Sequence, residues 1–282
     1  MTPADLNLAS EVTGYQRFLF ISLPARLADR ELAMAVDHLG EGMENMHEVE
    51  GTPSQEAFQR GRYQYLRAEK TLSQERDLPH KGISKAQALI RLEAASAEPF
   101  LHYEAGLRMR VEDRGGTVEA VGGVQRGRSY TSHATYQFSN APALLPGSGS
   151  RFPLGVVTPL SKTKAWWEMD WMHRESFFLP RYNSEEKQVA KGHTLAAAAG
   201  IPVLVRRLVH APDSYGREGH YDFLGYFEFA EEHAPIFREV MAALRNVQEN
   251  PEWNYVREGP EWWGRRVGRA AQLWEDRSSI KA

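Results

Sequence analysis

The chain has 282 residues, of which 42% are hydrophobic and 25% charged, a composition typical of folded globular proteins and unlike that of disordered or collagen-like chains. Its formal net charge of −3 argues against a nucleic acid or an anionic membrane as the partner. Because the chain contains no cysteine, disulfides, thiolate zinc sites and iron–sulfur clusters are excluded. Its ten histidines must therefore carry most of any metal chemistry.

Two further features bear on location and partner. No apolar run reaches the roughly 18 residues needed to span a bilayer, and the N-terminus lacks a basic start followed by an apolar segment. We therefore expect a cytoplasmic protein, or a periplasmic one if an export signal was removed before residue 1. The expected partner is a small molecule or another copy of the chain.

The turn-rich stretch at residues 146–150 divides the chain, and we predict an N-terminal half over residues 1–150 and a C-terminal half over residues 151–282. The N-terminal half opens with a strand-like run at residues 15–23, and a helix-like segment follows at residues 27–43.

The rest of the N-terminal half is less regular. Residues 51–85 are charged and rich in glutamine, which predicts a surface helix or a mobile insertion. Alternation in residues 107–111 and 117–121, on either side of two glycines, predicts a β-hairpin.

The C-terminal half has clearer periodicity. It begins with a predicted strand at residues 152–160. A capping-box pattern at residues 183–186 predicts a helix that runs through the alanine tract and ends at Gly200. Two predicted strands follow, at residues 203–210 and 221–230.

A final amphipathic helix and a last extended piece complete this half. The helix is predicted from apolar residues spaced for one buried stripe: Ile236, Phe237, Val240, Met241, Leu244 and Val247. The extended piece covers residues 255–259.

This order of elements is that of a ferredoxin-like α+β unit, with an antiparallel sheet and helices on one side. The N-terminal half, although divergent, is expected to repeat the plan with less regular elements. The two sheets would then pack together or close into a barrel-like core, which leaves room for a pocket between sheet and helices.

His193 is the first candidate for chemistry. It is predicted to lie mid-helix on an apolar side, beside Gly192 and a surface of small alanines that would let a flat group approach closely. A neutral imidazole there can bind a metal or heme iron, or it can be a core histidine held by a backbone carbonyl.

Two further charged positions stand out. Because side chains alternate along a strand, Arg206 and Arg207 point to opposite faces, and one of them should be buried. A buried guanidinium indicates either a structural ion pair or an anion site. Glu249, near the predicted end of the last helix, is either an exposed acid or the carboxylate that accepts the second N–H of a histidine ligand.

Taken together, these residues resemble the C-terminal half of the chlorite dismutase family of heme proteins. The resemblance covers roughly residues 152–265. It rests on Pro159, Leu160, Ser161 and Lys162 leading into Trp166 and Trp167, on His193 and Thr194, on residues 205–210, on Phe223, Phe227 and Glu228, and on residues 247–250.

The resemblance implies a dimeric α+β barrel of two ferredoxin-like halves that binds heme b. His193 would be the proximal ligand of the iron and Glu249 its hydrogen-bond partner. Arg206 would be the distal arginine, and Trp166 and Trp167 would lie beside the heme. Members of this family are homopentamers or smaller rings, so a homo-oligomer is expected, with a pentamer favoured.

The implied activity is the decomposition of chlorite to chloride and dioxygen, with Arg206 stabilising the small anionic substrate. Two alternatives stay open: a heme peroxidase-like member of the family with another substrate, and a heme-free ferredoxin-like binding or assembly module. The related coproheme decarboxylases carry a tyrosine and a glutamine where this chain has Trp167 and Arg206, which disfavours decarboxylation. The segment between Trp167 and His193 is longer than the resemblance leads us to expect.

Overall fold

The computed structural model describes residues 13–24, 30–49, 53–128, 130–139, 149–211 and 215–274. The elements of the first part of the chain are, in order, β1 (Gly14–Ser22), α1 (Arg30–Leu39), β2 (Glu44–Asn45), α2 (Gln55–Arg60), β3 (Arg62–Ala68), α3 (Lys81–Ser84), β4 (Ala88–Ala94), α4 (Glu98–Glu112), β5 (Thr117–Gln125) and α5 (His133–Ser139).

The second part contains β6 (Leu154–Lys162), α6 (Lys164–Glu168), α7 (Trp171–Ser176), β7 (Arg181–Tyr182), β8 (Gln188–Ala190), α8 (Gly192–Ala196), β9 (Val205–His210), β10 (Phe223–Phe229), α9 (Ala234–Arg245), β11 (Val256–Glu258) and β12 (Trp262–Val267). None of the helices among the described residues combines the length and the apolar character that crossing a bilayer requires.

Eight of these strands close an antiparallel barrel in the order β1-β4-β3-β12-β6-β10-β9-β5, with β5 returning to β1. The first four barrel strands in the chain and the last four each follow the ferredoxin-like order, in which the fourth strand pairs with the first, the first with the third and the third with the second. The predicted α+β barrel is confirmed. The division at residue 150 stays a prediction, and residues 146–148 of the proposed linker lie outside the described residues.

The barrel closes at two seams between the four-strand sets. At one seam β12 pairs with β3, and at the other β5 pairs with β9 through Val124↔His210 and Gln125↔Val209. A Cβ on Gly123 would lie 1.9 Å from the carbonyl oxygen of His210, so only glycine allows β5 and β9 to approach this closely.

Among the described residues, alternation along the strands separates an apolar core inside the barrel from two outside it. Inward-facing side chains such as Phe20, Leu89 and Trp262 fill the barrel, while α1 and α4 cover the outer face of the first four strands. The outer face of β6 and β10 packs against α9 through a cluster that includes Phe237. The space between this face and the helices is where the cavity described below lies.

Two predictions for the divergent N-terminal half are wrong. Residues 51–85 contain β3, a buried barrel strand, rather than only a surface helix or insertion. Residues 107–111 end α4 instead of forming a hairpin strand. The reason is a helical stripe that begins upstream of that window, since Leu107 and Val111 continue the buried positions Phe100 and Tyr103.

The predicted helix at residues 183–199 is also wrong. The Asn183 side chain accepts from the backbone N–H groups of Glu185 and Lys187, so it closes a turn between β7 and β8 and does not cap a helix. Only α8, five residues long, is helical before a short 3-10 turn at residues 198–200. Val247 of the predicted last stripe lies beyond the end of α9 and is 38% exposed.

Candidate functional site

A cavity of about 750 Å³, including its open mouth, lies between the outer face of β6, β9 and β10 and the helices α8 and α9. Most of the wall is apolar: Leu160, Ala197, Gly200, Ile201, Leu204, Leu208, Gly225, Phe227, Val240, Met241, Leu244 and Trp253. The polar lining residues are Arg128, Thr158, His193, Arg206 and Glu258.

His193 is positioned by the backbone on both sides of it. Gly192 has φ +65°, and a Cβ there would lie 2.3 Å from the carbonyl oxygen of Leu179, so the position requires glycine. The Gly192 N–H donates to the carbonyl of Glu249 and the His193 N–H donates to that of Phe177. The imidazole is therefore presented at the start of α8 rather than in the middle of a long helix.

The buried side chains of His193, Glu252 and Lys162 form a chain of contacts. His193 Nδ1 lies 2.5 Å from Glu252 Oε2, and Lys162 Nζ lies 2.5 Å from Glu252 Oε1. Burial lowers the pKa of His193 to about 4. Burial alone would raise the pKa of Glu252, but Lys162 and His193 hold it well below its usual range.

This charge distribution sets the tautomer of the histidine. A neutral imidazole beside a carboxylate donates its Nδ1–H to that carboxylate, which leaves a lone pair on Nε2. His193 Nε2 is buried, has no hydrogen-bond partner and belongs to a side chain in the cavity wall. A nitrogen of this kind is suited to bind a metal, and a carboxylate behind the ring raises its basicity.

The expected partner of His193 was Glu249, and this assignment is corrected. The Glu249 carboxylate lies 3.6 Å from Lys191 Nζ and is 41% exposed, and only its backbone carbonyl supports the loop before His193. Glu252 reaches the ring because a 3-10 turn at Pro251–Tyr255 folds it inward. Two acids three positions apart carry no sequence signal that says which one turns inward, and the role of Lys162 was missed for the same reason.

The side chains of Arg206 and Arg207 lie on opposite faces of β9, as the alternation predicts. Arg206 lines the cavity, and Arg207 lies on the barrel side, with Nε 3.9 Å from Glu93 Oε1. Burial and the neighbouring Arg128 lower the pKa of Arg206 to about 9, so it stays positively charged at neutral pH. Its Nη2 is buried and has no acceptor. Arg206 therefore has the unpartnered donor that an anion site would need, whereas Arg207 lies beside a carboxylate.

The two tryptophans lie behind the cavity wall and do not line it. Lys162 Nζ lies 4.0 Å from the centroid of the fully buried Trp166 ring, which places Trp166 behind the His193–Glu252 pair. Trp167 stacks on Tyr215 at 4.6 Å and donates its Nε1–H to Asp222. The tryptophan in the cavity wall is Trp253.

Several buried donors near Trp166 lack acceptors. Trp166 Nε1, the Tyr130 hydroxyl, and Nε and Nη1 of Arg174 have no hydrogen-bond partner. The Tyr130 ring lies 5.6 Å from the Trp166 ring and 5.2 Å from the Arg174 guanidinium carbon. Buried donors of this kind are costly unless an acceptor is supplied, but none of these three side chains lines the cavity described above.

Among the described residues, no three His, Asp or Glu side chains come together as a metal-binding group. A bare metal ion would need such a group, whereas an iron held by a tetrapyrrole needs a single protein ligand.

Comparison with known proteins places the fold. No family model matches the chain, and no curated protein matches it. Among solved structures, the chlorite dismutase of Candidatus Nitrospira defluvii in complex with imidazole matches with a TM-score of 0.62 and 19% identity, covering 93% of this chain and 94% of that chain.

Two variants of the same enzyme also match. A tryptophan-to-phenylalanine variant in complex with cyanide has a TM-score of 0.61 and 18% identity over 93% of this chain and 94% of that chain. An arginine-to-glutamate variant has a TM-score of 0.58 and 16% identity over 90% and 92%. The chain therefore has the fold of the α+β barrel proteins built from two ferredoxin-like halves. Within that class its structure matches the chlorite dismutases over nine-tenths of its length.

Proposed function

We propose that the cavity binds heme b, with His193 as the proximal ligand of the iron. The observation that carries the proposal is the buried, unpartnered Nε2 of a neutral imidazole whose other nitrogen is held by Glu252. A buried nitrogen without a partner is costly, and a ligand bound at this position of the cavity wall would complete it.

The residues present fit this group in two respects. The cavity wall is largely apolar, and Ala197 and Gly200 leave room for a flat ring beside α8. Heme b also carries two carboxylates, which need donors. Arg128 in the cavity wall can supply charge-assisted donors to them.

The position of Arg206 favours a small anion as the substrate. His193 lies on the helix side of the cavity and Arg206 on the sheet side, so an anion held by Arg206 would face a group bound at His193. Surrounded by apolar side chains, a preorganised guanidinium stabilises negative charge more strongly than it would in water. It also retains an anionic fragment that forms during the reaction.

We infer that the reaction is the conversion of chlorite to chloride and dioxygen, in which both oxygen atoms of the substrate leave as one molecule. Bound heme b would supply the redox-active iron at which the chlorine–oxygen bonds break and the oxygen–oxygen bond forms. The protein's own part is to hold the ring through His193, to bind the anion through Arg206 and to exclude water with the apolar wall.

A visible spectrum tests cofactor binding. We expect the heme-reconstituted protein to show a Soret band that is lost or strongly shifted in His193→Ala. The matched control is His210→Gln, because His210 is equally buried but has both ring nitrogens hydrogen-bonded, to Tyr215 and to the Arg126 carbonyl. A protein that stays colourless would refute heme binding and favour a heme-free binding or assembly module.

An oxygen electrode tests the reaction. Wild-type protein should release oxygen from chlorite, and Arg206→Ala should lower kcat about 100-fold, the usual effect of removing one donor to a developing charge. A heme-loaded protein that releases no oxygen but oxidises dyes with peroxide would contradict the chlorite reaction and favour the peroxidase alternative.

We also propose that the protein is a homo-oligomer, with a pentamer favoured, as the chlorite dismutase fold suggests. Light scattering on the purified protein checks the number of subunits, and a monomer at micromolar concentration would contradict it.

A further inference from the structure

A second, smaller cavity adjoins the first. Its empty volume is about 300 Å³, including its opening to solvent, and it lies where the chain leaves β5, with Gln125, Arg126 and Tyr136 in its wall. Arg206 and Leu208 line both cavities. Arg206, the residue proposed to bind the substrate, therefore lies between the two cavities.

The strand register explains why two arginines meet here. β5 pairs antiparallel with β9 through Val124↔His210 and Gln125↔Val209. One further step in this register places Arg126 opposite Leu208. Because directly opposed residues share a face of the sheet and residues two apart on a strand do so too, Arg126 lies on the same face as Arg206.

The second cavity has an excess of positive charge. Arg126 Nη2 donates to the Tyr215 hydroxyl at 3.3 Å, and its Nε is buried without an acceptor. Arg206 Nη2 is likewise buried without an acceptor. No carboxylate of the described residues pairs with either guanidinium within 4.0 Å, and none lines the cavity. Two guanidinium groups that line one space, each with a buried donor that lacks an acceptor, would both be satisfied by an anion between them.

We propose that this cavity is a second anion site, in which a small monovalent anion is held between Arg126 and Arg206. Its chemical class is that of a halide or a small oxyanion, since the described wall offers guanidinium N–H donors and no carboxylate. Which anion occupies the site during turnover rests on the proposed function. The site would hold chlorite before the substrate enters the main cavity, and chloride after the reaction has formed it. Arg126 is then a specificity-determining residue that does not touch the iron.

Bromide tests the site without any reaction. Crystals of the purified protein soaked in bromide should show an anomalous peak between the two guanidinium groups, and the peak should be absent from Arg126→Gln. Arg238→Gln, a substitution on the exposed face of α9, is the control and should keep the peak. No bromide between Arg126 and Arg206 in the wild-type crystal would overturn the proposal.

Kinetics test the role of the site in turnover. Arg126→Gln should raise the KM for chlorite about tenfold, the usual effect of losing one charge-assisted hydrogen bond, while kcat stays within about twofold. Arg126→Lys keeps the charge, so its KM should lie close to that of the wild type. This variant guards against a folding defect in the glutamine variant. An unchanged KM would refute the role of Arg126.

The two proposals fail separately. A protein that binds bromide at this site but takes up no heme keeps the anion site and loses the proposed function. One that decomposes chlorite with an unchanged KM in Arg126→Gln keeps the function and loses the second site.

Discussion

At the scale of single residues, the site depends on which acid reaches the histidine. Glu252 contacts both His193 and Lys162 and is 2% exposed, whereas Glu249 lies at the surface. A buried carboxylate between an imidazole and an ammonium holds the ring in one tautomer and one orientation. The tautomer and orientation of His193, the proposed iron ligand, are therefore set by its contact with Glu252.

Glu252→Gln should lower heme affinity about 10- to 100-fold, because it removes the charge that holds the His193 tautomer. It also leaves Lys162 buried without an anion, which should cost about 3–5 kcal/mol of unfolding free energy. Heme titration by absorbance and urea denaturation measure the two effects. Glu249→Gln is the matched control and should change neither quantity. Equal losses in both variants would show that the contact with Glu252 is not the cause.

At the scale of elements, the short helix α8 presents His193, whereas the sequence pattern predicts a long helix for this role. α8 has five residues and gains little from helix formation itself, so the segment before it must be held by tertiary hydrogen bonds. The left-handed backbone of Gly192, packed on Leu179, allows the chain to turn into α8 and to place His193 in the cavity wall.

Gly192→Ala should therefore destabilise the protein more than an alanine at another left-handed glycine. Gly219 has φ +78°, and a Cβ added there would meet no atom within 4 Å, so Gly219→Ala carries only the conformational cost of about 1–2 kcal/mol. Gly192→Ala adds a clash with the Leu179 backbone worth at least about 1 kcal/mol more. Chemical denaturation of both variants measures the difference, and equal destabilisation would contradict the packing argument.

At the scale of the whole molecule, the barrel encloses charged groups as well as apolar ones. Arg91 pairs with Glu93 and Glu228 at 3.2 Å, and Arg266 pairs with Glu228 at 2.8 Å. Burial alone would raise the pKa of Glu228, but Arg266 and Arg91 lower it to about 2. These groups link strands from both four-strand sets, so removing one partner would leave an uncompensated charge inside the barrel.

Stability should fall in mild acid, and His210 is one measurable reason. Burial and the neighbouring Arg126 lower the pKa of His210 to about 3, whereas in the unfolded chain it takes up a proton near pH 6.5. Between these pH values the unfolded chain binds more protons, so the free energy of unfolding decreases as the pH falls.

The contribution of His210 to this slope is up to about 1.4 kcal/mol per pH unit. Urea denaturation of His210→Gln between pH 4 and pH 6 should show a slope that is smaller than that of the wild type by up to this amount. His38→Gln is the control, since the His38 side chain is 68% exposed. An unchanged slope in His210→Gln would mean that the buried histidine is already protonated in the folded protein.

The sequence by itself determined the features that depend on local periodicity. The alternating runs of β1, β6, β9 and β10 and the stripe of α9 are visible in short windows, and they lead to the ferredoxin-like plan and to the opposite faces of Arg206 and Arg207. The spacing of apolar residues within a segment indicates which of its faces will be buried, and this spacing can be read without knowing the rest of the chain.

Only the tertiary structure decided which groups meet at the site. His193 and Glu252 are 59 positions apart and Lys162 and Glu252 are 90 apart, so their contacts depend on how the strands and turns close the barrel. The same holds for Arg126 and Arg206, which belong to different four-strand sets and meet across the seam between β5 and β9. Local pattern carries no information on such contacts, because their free energy arises only when distant segments pack.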